Sequence, residues 1–127
     1  MRKKMAMMVA LVMVLAVVGA GAAFARDQII HCNAIPCYGS SGGEDLIYER
    51  VGNGKNDEII MRGGDDNVVA SSYTNDRDIV RGGSGFDKIN VADGDTRDTA
   101  GAGSGRNWCI VDSRAELTPG CSRVTIQ

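Results

Sequence analysis

The chain has 127 residues, and its 14 basic and 16 acidic side chains leave a formal net charge of −2. All 16 acids follow position 25 but three basic residues precede it, so the 11 basic and 16 acidic residues of 26–127 leave −5. The basic residues after position 25 are scattered singly, whereas phosphate backbones demand clustered Lys and Arg. This argues against a nucleic-acid-binding protein. The length predicts one small domain.

The first 25 residues have the layout of a secretory signal peptide. Three basic residues at positions 2–4 precede an apolar stretch over 5–18, and small residues then lead to Ala25. We expect cleavage after Ala25, which leaves a secreted domain of residues 26–127 with no stable membrane insertion. The alternative is an uncleaved membrane anchor, because residues 5–25 contain no charge and are long enough to span a bilayer.

Four cysteines lie at the two ends of the central region, which is 39–111: Cys32 and Cys37 precede it, Cys109 lies just inside its C-terminal end and Cys121 follows it. An even number of cysteines in a small exported domain predicts disulfides, and three pairings are possible. We favour Cys32–Cys37 and Cys109–Cys121, because each pair lies at one end of the central region, where terminal caps at 26–38 and 112–127 are expected. The alternative at the first pair is a zinc site with His31, but the rest of a Cys/His ligand set is missing.

Acidic residues recur through the central region at alternating spacings of 11–12 and 9 residues, and a branched aliphatic residue follows each of the first five by two positions. The set is Asp45, Asp57, Asp66, Asp78, Asp87 and Asp98, followed by Asn107. One long and one short spacing make a circuit of 20–21 residues, which predicts two rows. We call them the short-turn row (Asp45, Asp66, Asp87 and Asn107) and the long-turn row (Asp57, Asp78 and Asp98).

The residues after each acid alternate with period 2, as an extended strand requires. Ile89 and Val91 would share one face of a strand, and Lys88 and Asn90 the other. No stretch after the signal shows a sustained 3.6-residue apolar period, so little helix is expected. The predicted fold is all-β: a parallel β-roll, or right-handed β-solenoid, with short strands, a thin aliphatic core and disulfide-capped ends.

Residues 82–90, GGSGFDKIN, match the nonapeptide G-G-x-G-x-D-x-U-x at every defined position. The region 39–111 thereby resembles the calcium-binding repeats of the RTX, or haemolysin-type, proteins, and its ending resembles small exported actinobacterial members. The resemblance implies a parallel β-roll with Ca²⁺ between successive turns, held by motif aspartates and glycine-turn carbonyls. Carried over by position, it implies ligand-turn roles for Gly82, Gly83, Gly85 and Asp87, with Asp45 and Asp66 in the same row and Asp57, Asp78 and Asp98 opposite.

The other repeats depart from this motif. The segment Gly63-Gly64-Asp65-Asp66 lacks the middle of the motif, and residues 72–78 contain no glycine. Basic residues lie beside several acids and are able to replace a metal with a salt bridge; they are Lys55, Arg77, Arg97 and Arg106. The sequence therefore predicts better calcium sites on the short-turn row than on the long-turn row.

The function predicted from these features is that of a secreted, non-catalytic calcium-binding protein that folds or is stabilised when calcium binds. One alternative is a metal-independent extracellular surface or matrix interaction module. A less favoured one is a small secreted hydrolase that uses an acid pair such as Asp76 and Asp78. His31 is the only histidine, so no His-based triad is expected without it. Trp108 is expected to pack over the final turn, and the sequence does not identify a protein or surface partner.

Overall fold

The computed structural model describes residues 28–32, 35–49 and 54–127. The predicted signal peptide lies outside the described residues. Ten short strands follow one another in chain order: β1 (Gln28–His31), β2 (Cys37–Tyr38), β3 (Asp45–Tyr48), β4 (Glu58–Ile60), β5 (Asn67–Val69), β6 (Ile79–Arg81), β7 (Lys88–Asn90), β8 (Thr99–Gly101), β9 (Asn107–Val111) and β10 (Cys121–Ile126). Among these residues the helical structure is a single 3₁₀ turn at Arg114–Glu116, as the absence of a helical period predicts.

The strands form two parallel sheets that face each other. The larger sheet has the order β1-β3-β5-β7-β9-β10 and the smaller one β2-β4-β6-β8. Successive strands alternate between the sheets as far as β9, and every strand pair within a sheet is parallel. The chain therefore winds as a β-solenoid in which short turns lead from the smaller sheet to the larger and long turns lead back. The all-β, parallel prediction is confirmed.

Most strands contribute one or two aliphatic side chains to a narrow core between the sheets, and β2 contributes Cys37. In the larger sheet Ile47 pairs with Val68, and Val68 with Ile89. In the smaller sheet Ile59 pairs with Val80, and Val80 with Ala100. These five side chains, and Ala100 with them, are fully buried. The period-2 prediction of inward aliphatic residues is thus confirmed, and stacking in register explains it: equivalent positions of successive turns lie directly over each other.

Disulfides join both predicted cysteine pairs, Cys32–Cys37 and Cys109–Cys121. The first bridge excludes a zinc site at Cys32 and Cys37. His31 stacks instead on Tyr48, with ring centroids 5.1 Å apart. The second bridge ties β9 to β10, the last strand of the larger sheet.

The strand register refines one sequence expectation and corrects another. Trp108 contacts Arg123 and Thr125 of the C-terminal segment, but it does so on the outer face of the larger sheet, because its neighbour Cys109 takes the inward position. The sequence aligns Gly63-Gly64 with the first two glycines of the motif. In the structure Gly63 forms a parallel β-bridge with Ser84, so Gly63-Gly64 corresponds to Ser84-Gly85. Arg62, at φ 75°, therefore occupies the second glycine position of that turn.

Candidate metal centre

The short-turn row forms a hydrogen-bonded ladder inside the coil. The backbone N–H of Asp45 donates to Oδ1 of Asp66 (2.8 Å), and that of Asp66 donates to Oδ1 of Asp87 (3.1 Å). The N–H of Asp87 donates in turn to Oδ1 of Asn107 (2.8 Å). Each side chain thus reaches back by one circuit to the equivalent residue, and all four are at most 2% exposed. The predicted membership of this row is confirmed.

The long-turn row repeats this arrangement on the opposite edge. The N–H of Asp57 donates to Oδ1 of Asp78, and the N–H of Asp78 donates to Oδ1 of Asp98, both at 2.8 Å. The carboxylate of Glu116 lies close to the backbone N–H of Asp98 and extends the row into the C-terminal cap. Glu116 also accepts from the N–H groups of Asp112 and Ser113, both at 2.8 Å. The predicted membership of this row is also confirmed.

One carboxylate oxygen of most row members has no hydrogen-bond donor. The buried unpartnered atoms are Asp45 Oδ1, Asp66 Oδ2, Asp87 Oδ2 and Asp98 Oδ2. Leaving a buried polar group unsatisfied costs about 1–3 kcal/mol, and more for a charged group. Four such oxygens are costly to leave without a partner, and a bound cation, a proton or an ordered water is the kind of group that would satisfy them.

The contacts of Asn107 indicate which groups lie opposite the unpartnered oxygens of the short-turn row. Its Oδ1 takes the ladder position, and its Nδ2 donates to the backbone carbonyls of Ala102 (3.0 Å) and Gly120 (3.1 Å). We call each residue of the row a rung of the ladder. In the preceding rung, Asp87 has an oxygen, Oδ2, where Asn107 has this amide nitrogen. Carboxylate and carbonyl oxygens repel each other unless something positive lies between them. The asparagine rung supplies its own donor, and the aspartate rungs do not.

Gly82 lets two oxygens from different turns approach each other beside Asp87. A Cβ atom built on Gly82 would lie 2.5 Å from both Asp87 Oδ2 and the carbonyl oxygen of Ala102, so a larger residue would collide with both oxygens. Ca²⁺ accepts carboxylate and carbonyl ligands together. The donor set of this turn therefore suits a hard cation.

Two further carboxylate groups lie in the long turns. Glu49, Asp76 and Asp78 are all buried, and one oxygen of each lies within 4.8 Å of the others. Glu49 Oε1 accepts from the N–H of Ser72 (2.6 Å), but Glu49 Oε2 and Asp76 Oδ1 have no donor. These unpartnered, buried oxygens give the group the features of a cation site rather than of a solvated acidic turn.

The second group, Asp93, Asp95 and Asp98, lies in the next long turn and has the same 4.8 Å clustering. Asp93 and Asp95 are partly exposed, and their oxygens also organise the turn: Oδ1 of Asp93 accepts from the N–H of Asp95 (2.9 Å). Asp93 Oδ2 has no donor. A cation here would keep part of its water shell.

Burial raises the pKa of several of these acids. It raises the pKa of Asp78 from 3.8 to about 8, with added repulsion from Asp76 and Glu49 and a hydrogen bond shared with Glu49. Burial likewise raises the pKa of Asp98 to about 7 and that of Asp66 to about 6, against the backbone hydrogen bonds that lower them. Without a cation, these carboxyls retain protons at pH values at which ordinary aspartates are ionised.

The predicted ligand residues are thus distributed over two edges. Asp45, Asp66 and Asp87 share one edge with the motif glycines, and the three long-turn aspartates share the other. The three-carboxylate groups both lie on the long-turn edge, which the sequence had not favoured. Glu49 and Glu116 were not among the predicted residues. The signal for Glu49 was available: it follows β3 at the position where Ala70 and Val91 follow β5 and β7, so a charged residue takes an inward aliphatic position.

The motif glycines build the stacked short turns. Gly83 and Gly85 both have positive φ, 95° and 128°, and a Cβ on Gly85 would overlap the carbonyl oxygen of Gly64 in the turn below. Among the basic residues expected near the acids, Arg97 donates through Nη1 to the carbonyl of Asn75 (3.0 Å). An ion pair joins Arg81 to Glu58 on the outer face of the smaller sheet (3.3 Å).

Comparison of this chain with known protein families, with characterised proteins and with solved structures finds no match in any of the three. Within the described residues, no helix is long and apolar enough to cross a membrane. The functional argument therefore rests on the geometry of the fold itself: a β-solenoid with acidic groups able to hold metal ions, closed by two disulfides that suit an oxidising environment.

Proposed function

We propose that this chain is an exported, non-catalytic calcium-binding β-roll protein of the RTX type, in which Ca²⁺ binding completes the fold. The observation that carries the proposal is the contrast between Asp87 and Asn107. The same ladder position holds an unpartnered carboxylate oxygen in one rung and an amide that donates to two carbonyls in the next. Ca²⁺ between the aspartate rungs would supply the positive charge that the amide supplies in the last rung.

The chemistry of the ligands favours Ca²⁺ over other cations. The candidate ligands are carboxylates and backbone carbonyls, which suit hard cations. All four cysteines are in disulfides and neither three-carboxylate group includes a histidine, so these groups supply no soft or nitrogen ligand for Zn²⁺ or Cu²⁺. The irregular turns support Ca²⁺ over Mg²⁺, because Mg²⁺ demands nearly ideal octahedral geometry and gives up water reluctantly.

The burial of the acids supports a structural role rather than a catalytic one. Asp76 and Asp78, the pair considered for hydrolysis, are 4% and 2% exposed. Acids that point into a packed coil cannot meet a polymer or a peptide substrate. The predicted signal peptide and the two disulfides support export, and extracellular Ca²⁺ would then be available to drive folding.

The proposal is tested by thermal unfolding of the protein of residues 26–127 in EGTA, in Ca²⁺ and in Mg²⁺, with circular dichroism as the signal and calorimetry for stoichiometry. Ca²⁺ is expected to raise Tm and to increase the β signal, and Mg²⁺ to do so far less. An equal Tm and spectrum in EGTA and in Ca²⁺ would overturn the proposal.

The variant Glu49→Gln tests whether one Ca²⁺ ion binds at the Glu49, Asp76 and Asp78 group. It removes one carboxylate from the Glu49, Asp76 and Asp78 group while keeping the side-chain volume. The variant is expected to bind fewer Ca²⁺ ions than the parent, whereas Glu44→Gln, on an exposed turn residue, is expected to leave the stoichiometry unchanged. Equal loss in both variants would show that only total charge matters.

A second function, a metal-independent surface or matrix interaction module, is favoured by the raised pKa values. Burial raises the pKa of Asp78 to about 8, so protons are able to neutralise part of the interior without metal. This alternative predicts a protein whose stability responds to a reductant but not to a chelator. The EGTA and dithiothreitol arms of one unfolding experiment distinguish the two functions.

A further inference from the structure

The fold separates the acids from the bases of this chain. Nine of the 16 acidic side chains are buried inside the coil; they are Asp45, Glu49, Asp57, Asp66, Asp76, Asp78, Asp87, Asp98 and Glu116. Within the described ranges the outside carries nine Lys and Arg but six Asp and Glu. Once protons or cations neutralise the interior, these outer groups leave an excess of three positive charges. The chain is acidic in composition, but the described part of it buries most of its acids and carries an excess of basic groups on its surface.

The basic side chains on the outer face of the larger sheet are arranged around an indole. In the sheet register Lys88 pairs with Trp108, and Trp108 with Arg123. Lys88 Nζ lies 4.8 Å and Arg123 Cζ 4.3 Å from the ring centroid of Trp108. The indole N–H donates to Thr125 Oγ1 (3.0 Å), which fixes the ring. Cation–π contacts hold both cations in place without neutralising them.

A groove of about 260 Å³ adjoins this arrangement. Its lining residues are Phe86, Arg106, Asn107, Trp108, Ser122 and Arg123. A register shift between Cys121 and Arg123 places Ser122 as the extra residue of β10, and bulges of this kind redirect neighbouring side chains. Phe86 is 52% exposed, so a large aromatic side chain that lines the groove with two arginines faces solvent.

The three cations have no acidic partner. Lys88, Arg106 and Arg123 make no ion pair with any carboxylate in the part of the chain that the structure describes, whereas Arg81 on the other sheet pairs with Glu58. Three unpaired cations beside two aromatic rings form a surface complementary to an anion with an apolar face.

We propose that this groove binds an acidic polysaccharide, with Arg106 and Arg123 on a carboxylate or sulfate group and Phe86 against the sugar ring. A sugar acid combines a negative group with the C–H face that aromatic side chains contact. A membrane is a poorer fit, because Phe86 is the one exposed large apolar side chain among the groove residues. The proposal does not depend on which cation, metal or proton, neutralises the interior.

The test compares dextran sulfate with uncharged dextran, which share a backbone, as ligands of the disulfide-bonded protein in both Ca²⁺ and EGTA. We expect binding to dextran sulfate and none to dextran. Arg106→Ala with Arg123→Ala should weaken the affinity by at least about tenfold, the effect of roughly 1.4 kcal/mol and of one lost charge-assisted hydrogen bond. A matched variant, Arg77→Ala with Arg114→Ala, removes the same charge outside the groove and should weaken it by less than about threefold.

Phe86→Ala distinguishes a sugar from any other polyanion. It changes no charge, and it is expected to weaken binding of a uronic-acid oligosaccharide several-fold while leaving the salt dependence unchanged. Equal weakening by the two double-arginine variants would overturn the proposal, because binding would then follow net charge. Tighter binding to phosphatidylglycerol vesicles than to the oligosaccharide would also overturn it in favour of a membrane surface.

Discussion

The backbone N–H of Asp87 donates to the side-chain oxygen of Asn107 at 2.8 Å, and the amide nitrogen of the same Asn107 donates to the carbonyls of Ala102 and Gly120. Asn107 ends the short-turn row with a neutral side chain whose oxygen accepts a hydrogen bond and whose nitrogen donates two. In the rungs below, an aspartate makes the ladder bond but leaves its second oxygen without a donor. The metal dependence that we propose for the coil therefore rests on an Asp-to-Asn difference at equivalent positions.

Exchanging the two residue types should exchange their dependence on calcium. Asn107→Asp places an oxygen where Nδ2 now donates to two carbonyls. In EGTA we expect it to lower the free energy of unfolding by about 1–3 kcal/mol, the cost of unsatisfied buried groups, and excess Ca²⁺ should restore much of the loss. Urea unfolding in EGTA and in Ca²⁺ measures both effects.

Asp87→Asn is the reciprocal variant. It should stabilise the calcium-free protein, because it removes a buried charge, and it should bind fewer Ca²⁺ ions than the parent. If Asn107→Asp were equally destabilised in both media, the carboxylate would not be acting as a ligand.

The glycines of the short turns should differ sharply in their tolerance of a methyl group. Gly85→Ala requires a left-handed φ of 128° and would overlap the carbonyl oxygen of Gly64, so we expect a loss of about 3 kcal/mol or more. Gly63→Ala is the matched control in the adjacent turn. Its nearest atom, Ser84 Oγ at 2.9 Å, belongs to a side chain that can rotate, so the loss should be smaller. Similar losses at both positions in thermal unfolding would contradict the stacked-turn register.

The stability of the calcium-free protein should fall as the pH rises. Burial raises the folded-state pKa of Asp66 to about 6, of Asp98 to about 7 and of Asp78 to about 8, from an ordinary value of 3.8. Between the ordinary pKa and each of these folded-state values, the folded protein holds more protons than the unfolded chain. The contribution of each group to stability is therefore full at low pH and is lost as the pH rises through its folded pKa. In EGTA we therefore expect a lower Tm at pH 8 than at pH 5.

Calcium should reverse this trend, because it binds the deprotonated carboxylates and its affinity increases with pH. A Tm series from pH 5 to pH 8 in EGTA and in Ca²⁺ tests both slopes. A Tm that rises with pH in EGTA would show that the buried acids are stabilised as anions without any metal.

The C-terminal disulfide should contribute more to stability than the N-terminal one. Cys109 and Cys121 are separated by 12 residues and Cys32 and Cys37 by 5, and the longer loop restricts the unfolded chain more. Chain entropy assigns about 3 kcal/mol to Cys109–Cys121 and about 2 kcal/mol to Cys32–Cys37. Cys109 is also fully buried against the core, which adds a packing cost when the bridge is removed.

The two double Cys→Ala variants, unfolded by urea in Ca²⁺, measure this difference. Each variant retains one disulfide, so each variant serves as the control for the other. A larger loss on removing Cys32–Cys37 would indicate that the coil depends chiefly on its first turn rather than on the cap formed by β9 and β10.

The sequence by itself determined the coil and its two rows. The 20–21-residue circuit places Asp45, Asp66 and Asp87 over one another, and the period-2 alternation after each acid places Ile89 inside and Lys88 outside. Both follow from local geometry, because a strand has a fixed side-chain period and a solenoid has a fixed circuit. The cysteine pairs followed from the same reasoning, since each lies at one end of the coil.

Only the tertiary structure decided what these positions contact. Glu49 joins Asp76 across one circuit, and this meeting depends on how two irregular long turns fold, which no short-range period encodes. The unpartnered oxygens of Asp66 and Asp87 likewise became visible only when every donor around them was placed. Composition indicated an acidic protein because it counts charges wherever they lie. In the described part of the chain the fold buries nine acids and leaves all nine bases unburied, and that separation depends on three-dimensional burial alone.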